Sequence, residues 1–192
     1  VVSWEVHVRA TRPDDLDAIG DIYAHYVENT GATFELARPD RVAWDRRFDA
    51  VVTAGLPFLS AVLGGEIVGY AYCAPWKIRP AYRHTVEDSV YVAPHAVGHR
   101  VGAELLDALL ADCLSAGVRE VIAVIVDADA DASVALHRSR GFVEAGRLTA
   151  VGYKHDRWLD TLLLQRSLAG QSVTSVQAGS SSLWSPSTRH SP

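Results

Sequence analysis

The chain has 192 residues, 48% of them hydrophobic and 21% charged, with a net charge of −5. That length carries one well-cored domain without staples, and the acidic balance argues against nucleic acid as the main partner. No run of about 18 apolar residues is present to cross a membrane, and the first residues lack the basic and apolar regions of a signal peptide. Cys73 and Cys113 stand 40 apart and outside any CxxC spacing. They indicate neither a disulfide framework nor a zinc site, and a reducing, cytoplasmic setting is expected.

In chain order, Trp4, Val6 and Val8 alternate with polar neighbours and predict a strand. Pro13-Asp14-Asp15 opens a helix whose Leu16, Ile19, Tyr23, Tyr26 and Val27 recur at helical spacing. A second helix fits Asp40 to Thr53. Phe58–Leu63 and Glu66–Tyr72 read as strands joined by a Gly64-Gly65 turn. Thr85–Val92 is another strand, stopped by Pro94. Gly102 starts a helix with Leu105, Leu106, Leu109, Leu110 and Cys113 on its apolar side, ended by Gly117. Val118–Val126 reads as a central strand buried on both faces. Asp131–Arg140 is a short helix ended by Gly141, and Phe142–Tyr153 and Arg157–Leu168 are the last two strands. This order is mixed α/β with many hairpin connections rather than a Rossmann fold. Residues 169–192 hold eight Ser and one charged residue, Arg189. Such a segment buries too little apolar surface to order itself, so the expected organisation is a domain over 1–168 and a disordered Ser-rich tail over 169–192.

Four segments carry chemistry. Glu87 and Asp88 are adjacent carboxylates in the apolar strand Val86–Val92, and alternation sends them to opposite faces. Partial burial would raise the pKa of one facing a cleft and make it a usable base; a solvated strand end is the alternative. Tyr91-Val92-Ala93-Pro94 leads through Gly98-His99-Arg100-Val101-Gly102 into a helix. Strand, glycine-bearing loop and helix start make an anion site, unless this is an ordinary βα loop. Trp76-Lys77-Ile78-Arg79-Pro80-Ala81-Tyr82 pairs cations with aromatics between prolines, fit either to clamp a small dianion or to stand as a solvated loop. Gly152 to Trp158 holds Lys154 and is otherwise a plain hairpin turn. Of the 18 basic residues only Lys77 and Lys154 are lysines; Arg codon bias explains the rarity, and both fall in these segments.

Taken in order, these segments resemble the GNAT superfamily of N-acetyltransferases, and within it the phosphinothricin N-acetyltransferase group, which includes methionine sulfone and sulfoximine acetyltransferases. The resemblance runs from about Val6 to Leu168. It rests on IYAHYV from Ile22, APWKIRPAY from Ala74, VEDSVYVAP from Val86, SVALHRSRGF from Ser133 and VGYKHDRW from Val151. It implies a mixed, mostly antiparallel central sheet of about seven strands flanked by four helices, and a cytoplasmic enzyme. That enzyme would transfer acetyl from acetyl-CoA to a small amino-acid-like amine.

The resemblance assigns Glu87 as general base, His137 as an assisting residue, and Val90, Tyr91 and Val92 as partners of the pantetheine arm. Val97, Gly98, His99, Arg100, Val101 and Gly102 would hold the pyrophosphate, and Ala103 and Ser133 would also touch the cofactor. Phe34, Trp76, Lys77, Arg79, Tyr82 and Lys154 would hold the substrate. It further implies a homodimer with the Gly152–Trp158 hairpin near the partner's site, and no metal, nucleic acid or membrane. The chain departs from the group at Val97 and Arg100, where the loop usually has a polar residue and Gly, at Ala130 for Asn, and at Asp156 for Gly. Two other functions stay open: acetylation of a different amine, such as a peptide N-terminus, and a weakly CoA-binding, non-catalytic module.

Overall fold

The structure, a computed structural model, describes residues 5–170 with the exception of residue 129. Eleven elements follow one another: β1 (His7–Ala10), α1 (Leu16–Asn29), α2 (Arg41–Thr53), β2 (Phe58–Leu63), β3 (Glu66–Pro75), β4 (Thr85–Val92), α3 (Val101–Ser115), β5 (Glu120–Val126), α4 (Asp131–Ser139), β6 (Val143–Lys154) and β7 (Arg157–Ser167). The seven strands form one sheet in the order β1-β2-β3-β4-β5-β7-β6, parallel only between β4 and β5. The expected mixed sheet and four helices are therefore observed. Among the described residues no helix is long and apolar enough to span a membrane. Of the tail expected over 169–192, all but residues 169 and 170 lie outside the described residues, as does the start of the first strand at Ser3 and Trp4.

Local chemistry sets the boundaries. Gly64 and Gly65 turn the β2–β3 hairpin with φ of +60° and +92°, a backbone most side chains resist. Asp40 caps α2 by accepting from the Ala43 amide at 2.8 Å, satisfying one of the helix's free donors. β3 runs past the expected Tyr72 to Pro75 because it keeps pairing with β4, Pro75 opposite Val86.

Alternation along the central strands divides the core between two faces. Tyr70, Tyr72 and Tyr91 turn toward α1 and α2, where Tyr91 meets Tyr23 and Tyr26 at 5.0 Å and Tyr70 meets Trp44 at 5.7 Å, edge to face. The opposite face carries α3 and α4. There Gly69 lies so close to Val101 and Leu105 that a Cβ would stand 3.0 Å and 3.1 Å from them. Leu105, Leu106 and Leu109 are fully buried under that face.

Candidate active site

The site originates in one irregularity of the sheet. β4 and β5 pair in parallel only from Thr85↔Glu120 to Asp88↔Ala123. Beyond Asp88, β4 continues to Val92 on its β3 side alone, and β5 continues to Val126 on its β7 side alone. The two strands splay and leave unpaired backbone edges facing each other. A cavity of ≈ 770 Å³ opens in that gap and reaches both faces of the sheet.

On the α3 side the loop after β4 leads into a helix N-terminus that lines the cavity. Gly98 has φ +90° and Arg100 φ +62° before α3 begins. The first amides of a helix, here Val101, Gly102 and Ala103, have no intrahelical acceptor, and the helix dipole adds positive potential. Gly102 stands close to its neighbours: a Cβ would lie 3.3 Å from Leu136, which would have to give by a few tenths of an ångström, and 3.6 Å from Val92. Arg100 occupies the left-handed conformation that glycine takes without strain, and its side chain is exposed.

On the α1–α2 side, Glu87 lines the cavity half-buried, with no hydrogen bond to its carboxylate among the described residues. Burial, and then the charge of Asp88, raise its pKa above the ordinary glutamate value, against the opposing pull of Lys77. A carboxylate so tuned takes a proton more readily than a solvated one. Tyr26 donates its hydroxyl to the Val92 carbonyl at 2.6 Å, tying α1 to the splayed end of β4.

Phe34 closes this side. Its loop is held by Tyr23, whose hydroxyl lies 2.7 Å from the Thr33 hydroxyl, and by Arg47, paired with Glu35 at 2.7 Å. The β6–β7 hairpin holds it from the other flank. Lys154 donates Nζ to the Thr33 carbonyl at 2.9 Å and His155 Nε2 to the Thr30 carbonyl at 3.1 Å. The Phe34 ring lies against Gly152, where a Cβ would fall within 2.5 Å of ring carbon Cε2 and closer still to two others.

Most residues expected at the site are brought together. Glu87, His137, Val90, Tyr91, Val92, Val97, Gly98, Arg100, Val101, Gly102, Ala103, Ser133 and Phe34 line this one cavity. His99, Trp76, Lys77, Arg79, Tyr82 and Lys154 do not. Lys154 is buried and turned into the protein onto Thr33, so in this chain its contact is with the loop and not with the cavity. The Trp76–Tyr82 segment is an exposed connection between β3 and β4, with Lys77 Nζ 4.5 Å over the Trp76 ring. It hangs from the Glu87 end of those strands, within electrostatic reach of Glu87. His137 is buried, and both ring nitrogens are already engaged, by Asp88 and by the Ser133 carbonyl.

Sequence reasoning missed Tyr26, Thr33 and the role of Asp88. Tyr26 belonged to a helical apolar stripe and nothing marked its hydroxyl. Asp88 was assigned to the face away from Glu87, but its partner lies 49 residues on and no local pattern names it. Among the described residues no group of three His, Cys, Asp or Glu side chains is placed to hold a metal.

The acetyltransferase (GNAT) family profile matches residues 19–142. A phosphinothricin N-acetyltransferase of Alcaligenes faecalis is 47% identical over 167 residues, covering 87% of this chain and 85% of that protein. An L-methionine sulfoximine/L-methionine sulfone acetyltransferase of Pseudomonas paraeruginosa is 39% identical, covering 80% of this chain and 90% of its own length. The crystal structure of a phosphinothricin acetyltransferase from Sinorhizobium meliloti in complex with acetyl-CoA superposes with a TM-score of 0.80 at 40% identity, over 84% of this chain and 88% of that one.

Proposed function

The chain belongs to the acetyltransferase (GNAT) family and is an acetyl-CoA-dependent N-acyltransferase; from that premise we propose that it acetylates the amine of a small amino acid analogue of the phosphinothricin, methionine sulfone or sulfoximine kind. The observation that carries this reading is the half-buried Glu87, facing a cavity whose other wall is an unpaired strand edge running to a helix N-terminus.

The cavity fits acetyl-CoA in shape and donors. The strand edge from Val90 to Val92, whose last carbonyl already accepts from Tyr26, would take the amide-bearing pantetheine arm. The loop from Val97 to Ala103, with Ser133 across the slot, would take the pyrophosphate and the adjoining arm. When bound, acetyl-CoA supplies an acetyl group activated as a thioester. Glu87 accepts the proton of the substrate ammonium, directly or through one water, and so exposes the attacking lone pair. Phe34 packs on the substrate and keeps water from that side. Lys77, Arg79 and Tyr82 stand beside the Glu87 end and would meet the substrate's acidic group, Arg79 as a planar fork. Those two cations also disfavour a polyamine substrate.

We further propose a cytosolic homodimer. Val143, Val151, Tyr153 and Trp158 are at least half exposed on and beside the β6–β7 hairpin; a second copy would cover that apolar surface and bring a hairpin to the neighbouring site.

Val97, Arg100 and Ala130 depart from the group at the cofactor loop and at the start of α4, and they bear on how tightly CoA binds. Titration calorimetry with CoA should still give micromolar binding. Steady-state rates over a panel of amines, followed by release of free thiol, test the substrate class. Phosphinothricin and methionine sulfone should give the highest kcat/KM, and a preference for a peptide or a polyamine would overturn the assignment.

A further inference from the structure

His137 sits in the last turn of α4, its side chain 5% exposed, and Asp88 on β4 is 1% exposed. Nδ1 lies 2.7 Å from the Ser133 carbonyl oxygen, and Nε2 lies 2.9 Å from Asp88 Oδ2. A carbonyl oxygen only accepts, so Nδ1 must carry a hydrogen. An ionised carboxylate also only accepts, so a proton must lie between Nε2 and Oδ2 as well. Without it, two lone pairs would face each other in a dry interior. Whether the proton is drawn on nitrogen or on oxygen, the pair is neutral overall and holds one proton more than a neutral histidine beside a carboxylate.

Its location gives the pair a task. Asp88↔Ala123 is the last matched pair of β4 and β5 before they splay. The bond to His137 therefore crosses from α4 to β4 at the closed end of the cavity. α4 lines the slot with Ser133 and Leu136, and Leu136 also abuts Gly102 at the start of α3.

We propose that Asp88 is a positioning residue acting through His137: the two share one buried proton, and the pair pins α4 to β4 so that the slot for the cofactor arm keeps its width. The ring then has no nitrogen free to take a proton from substrate, which leaves that work to Glu87 on the opposite face. Asp88 Oδ1 has no partner among the described residues, so loss of the shared proton would leave a buried carboxylate uncompensated.

The surroundings favour retention of the proton. Burial by itself lowers the pKa of the ring, but the hydrogen bond and charge of Asp88 outweigh burial and raise it above the ordinary histidine value. From β3, Cys73 faces Asp88 in register, and Cys113 on α3 lies 3.2 Å from Cys73. Contact with Cys113 and burial hold the Cys73 thiol well above its usual pKa and hence neutral. Phe142 covers the ring edge-on at 5.0 Å.

The inference rests on this cavity being the acetyl-CoA slot, but its first readout does not depend on turnover. In full-length protein labelled with ¹⁵N-histidine, both His137 nitrogens should show N–H character at pH 7, where an ordinary histidine has largely lost its second proton. In Asp88→Asn the carboxamide can donate to Nε2, so the contact survives while the ring becomes neutral, with one N–H, at pH 8. In Asp88→Ala and His137→Ala, KM for acetyl-CoA should rise about tenfold with the acceptor KM changed less than about twofold. The double variant should be no worse than the poorer single one, and Asp88→Asn should recover most of the loss. A singly protonated His137 in the wild-type protein at pH 7 would overturn the shared proton, even if the alanine variants fail to fold. Additive effects, or effects confined to the acceptor, would overturn the positioning role. Absence of acetyl transfer with an intact imidazolium signal would instead count against the enzymatic reading.

Discussion

Gly152→Ala is the most pointed test of how the acceptor side is held. Its virtual Cβ falls within 2.5 Å of Phe34 Cε2 and closer to Cζ and Cε1, whereas carbon atoms rest about 3.5–4 Å apart. The ring must therefore retreat by roughly 1–1.5 Å, or the hairpin must lift by that amount. Phe34 is already 36% exposed on a loop, so swinging out relieves the overlap, and the stability loss should stay near 1–2 kcal/mol, low in the range for overpacking (about 1–3). The functional cost should be larger. A wall of the acceptor pocket displaced by about 1 Å costs up to 10²-fold. We expect KM for the amine to rise about tenfold and KM for acetyl-CoA to hold, because the cofactor cradle is on the other face. Steady-state kinetics with each substrate varied, beside a thermal melt, measures both. In a Phe34→Ala background the same alanine should cost almost nothing further, since its collision partner is gone. Unchanged acceptor KM in Gly152→Ala, or a penalty that persists without Phe34, would refute the packing argument.

The proposed base, Glu87, would work only when ionised, and burial and then Asp88 raise its pKa. Log kcat/KM should therefore fall on the acid side of a midpoint higher than an ordinary glutamate's, and Glu87→Gln should remove most of the rate and flatten that limb. With a raised native pKa, stability attached to the protonated form is lost as pH rises through it. Glu87→Gln should thus melt higher than wild type at pH 8, the difference shrinking toward pH 4. At the β6–β7 turn, His155 and Asp156 both sit at positive φ, +51° and +57°. Asp156→Gly should stabilise the protein by about 0.5–1 kcal/mol, read as a higher Tm with kcat unchanged.

The legibility of the chain follows from how local each cause is. The β2–β3 hairpin was readable because two glycines and two apolar runs suffice to specify it, and α1 because its stripe repeats over about three turns. The splay of β4 from β5 was not readable from pattern, since it is the failure of two distant strands to stay paired. Arg100 was legible as an anomaly, and the structure gives its physical form, a non-glycine residue at φ +62° at the head of α3. Lys154 stood out by rarity and was expected at the substrate. Its nitrogen instead bonds Thr33, 121 residues earlier, a contact no spacing rule could propose. Lys77 and Arg79 were placed by motif, and the fold puts them near Glu87 but outside the cavity wall of a single chain.

The central claim is transfer of an acetyl group to a substrate amine with Glu87 as base. Purified full-length protein, acetyl-CoA and phosphinothricin, sampled together for free thiol and by mass spectrometry, address it most directly. The wild-type protein should give one N-acetylated phosphinothricin for each thiol released, and Glu87→Gln should lose most of that product at pH 7. Thiol release without acetylated amine, or full turnover by Glu87→Gln, would contradict it.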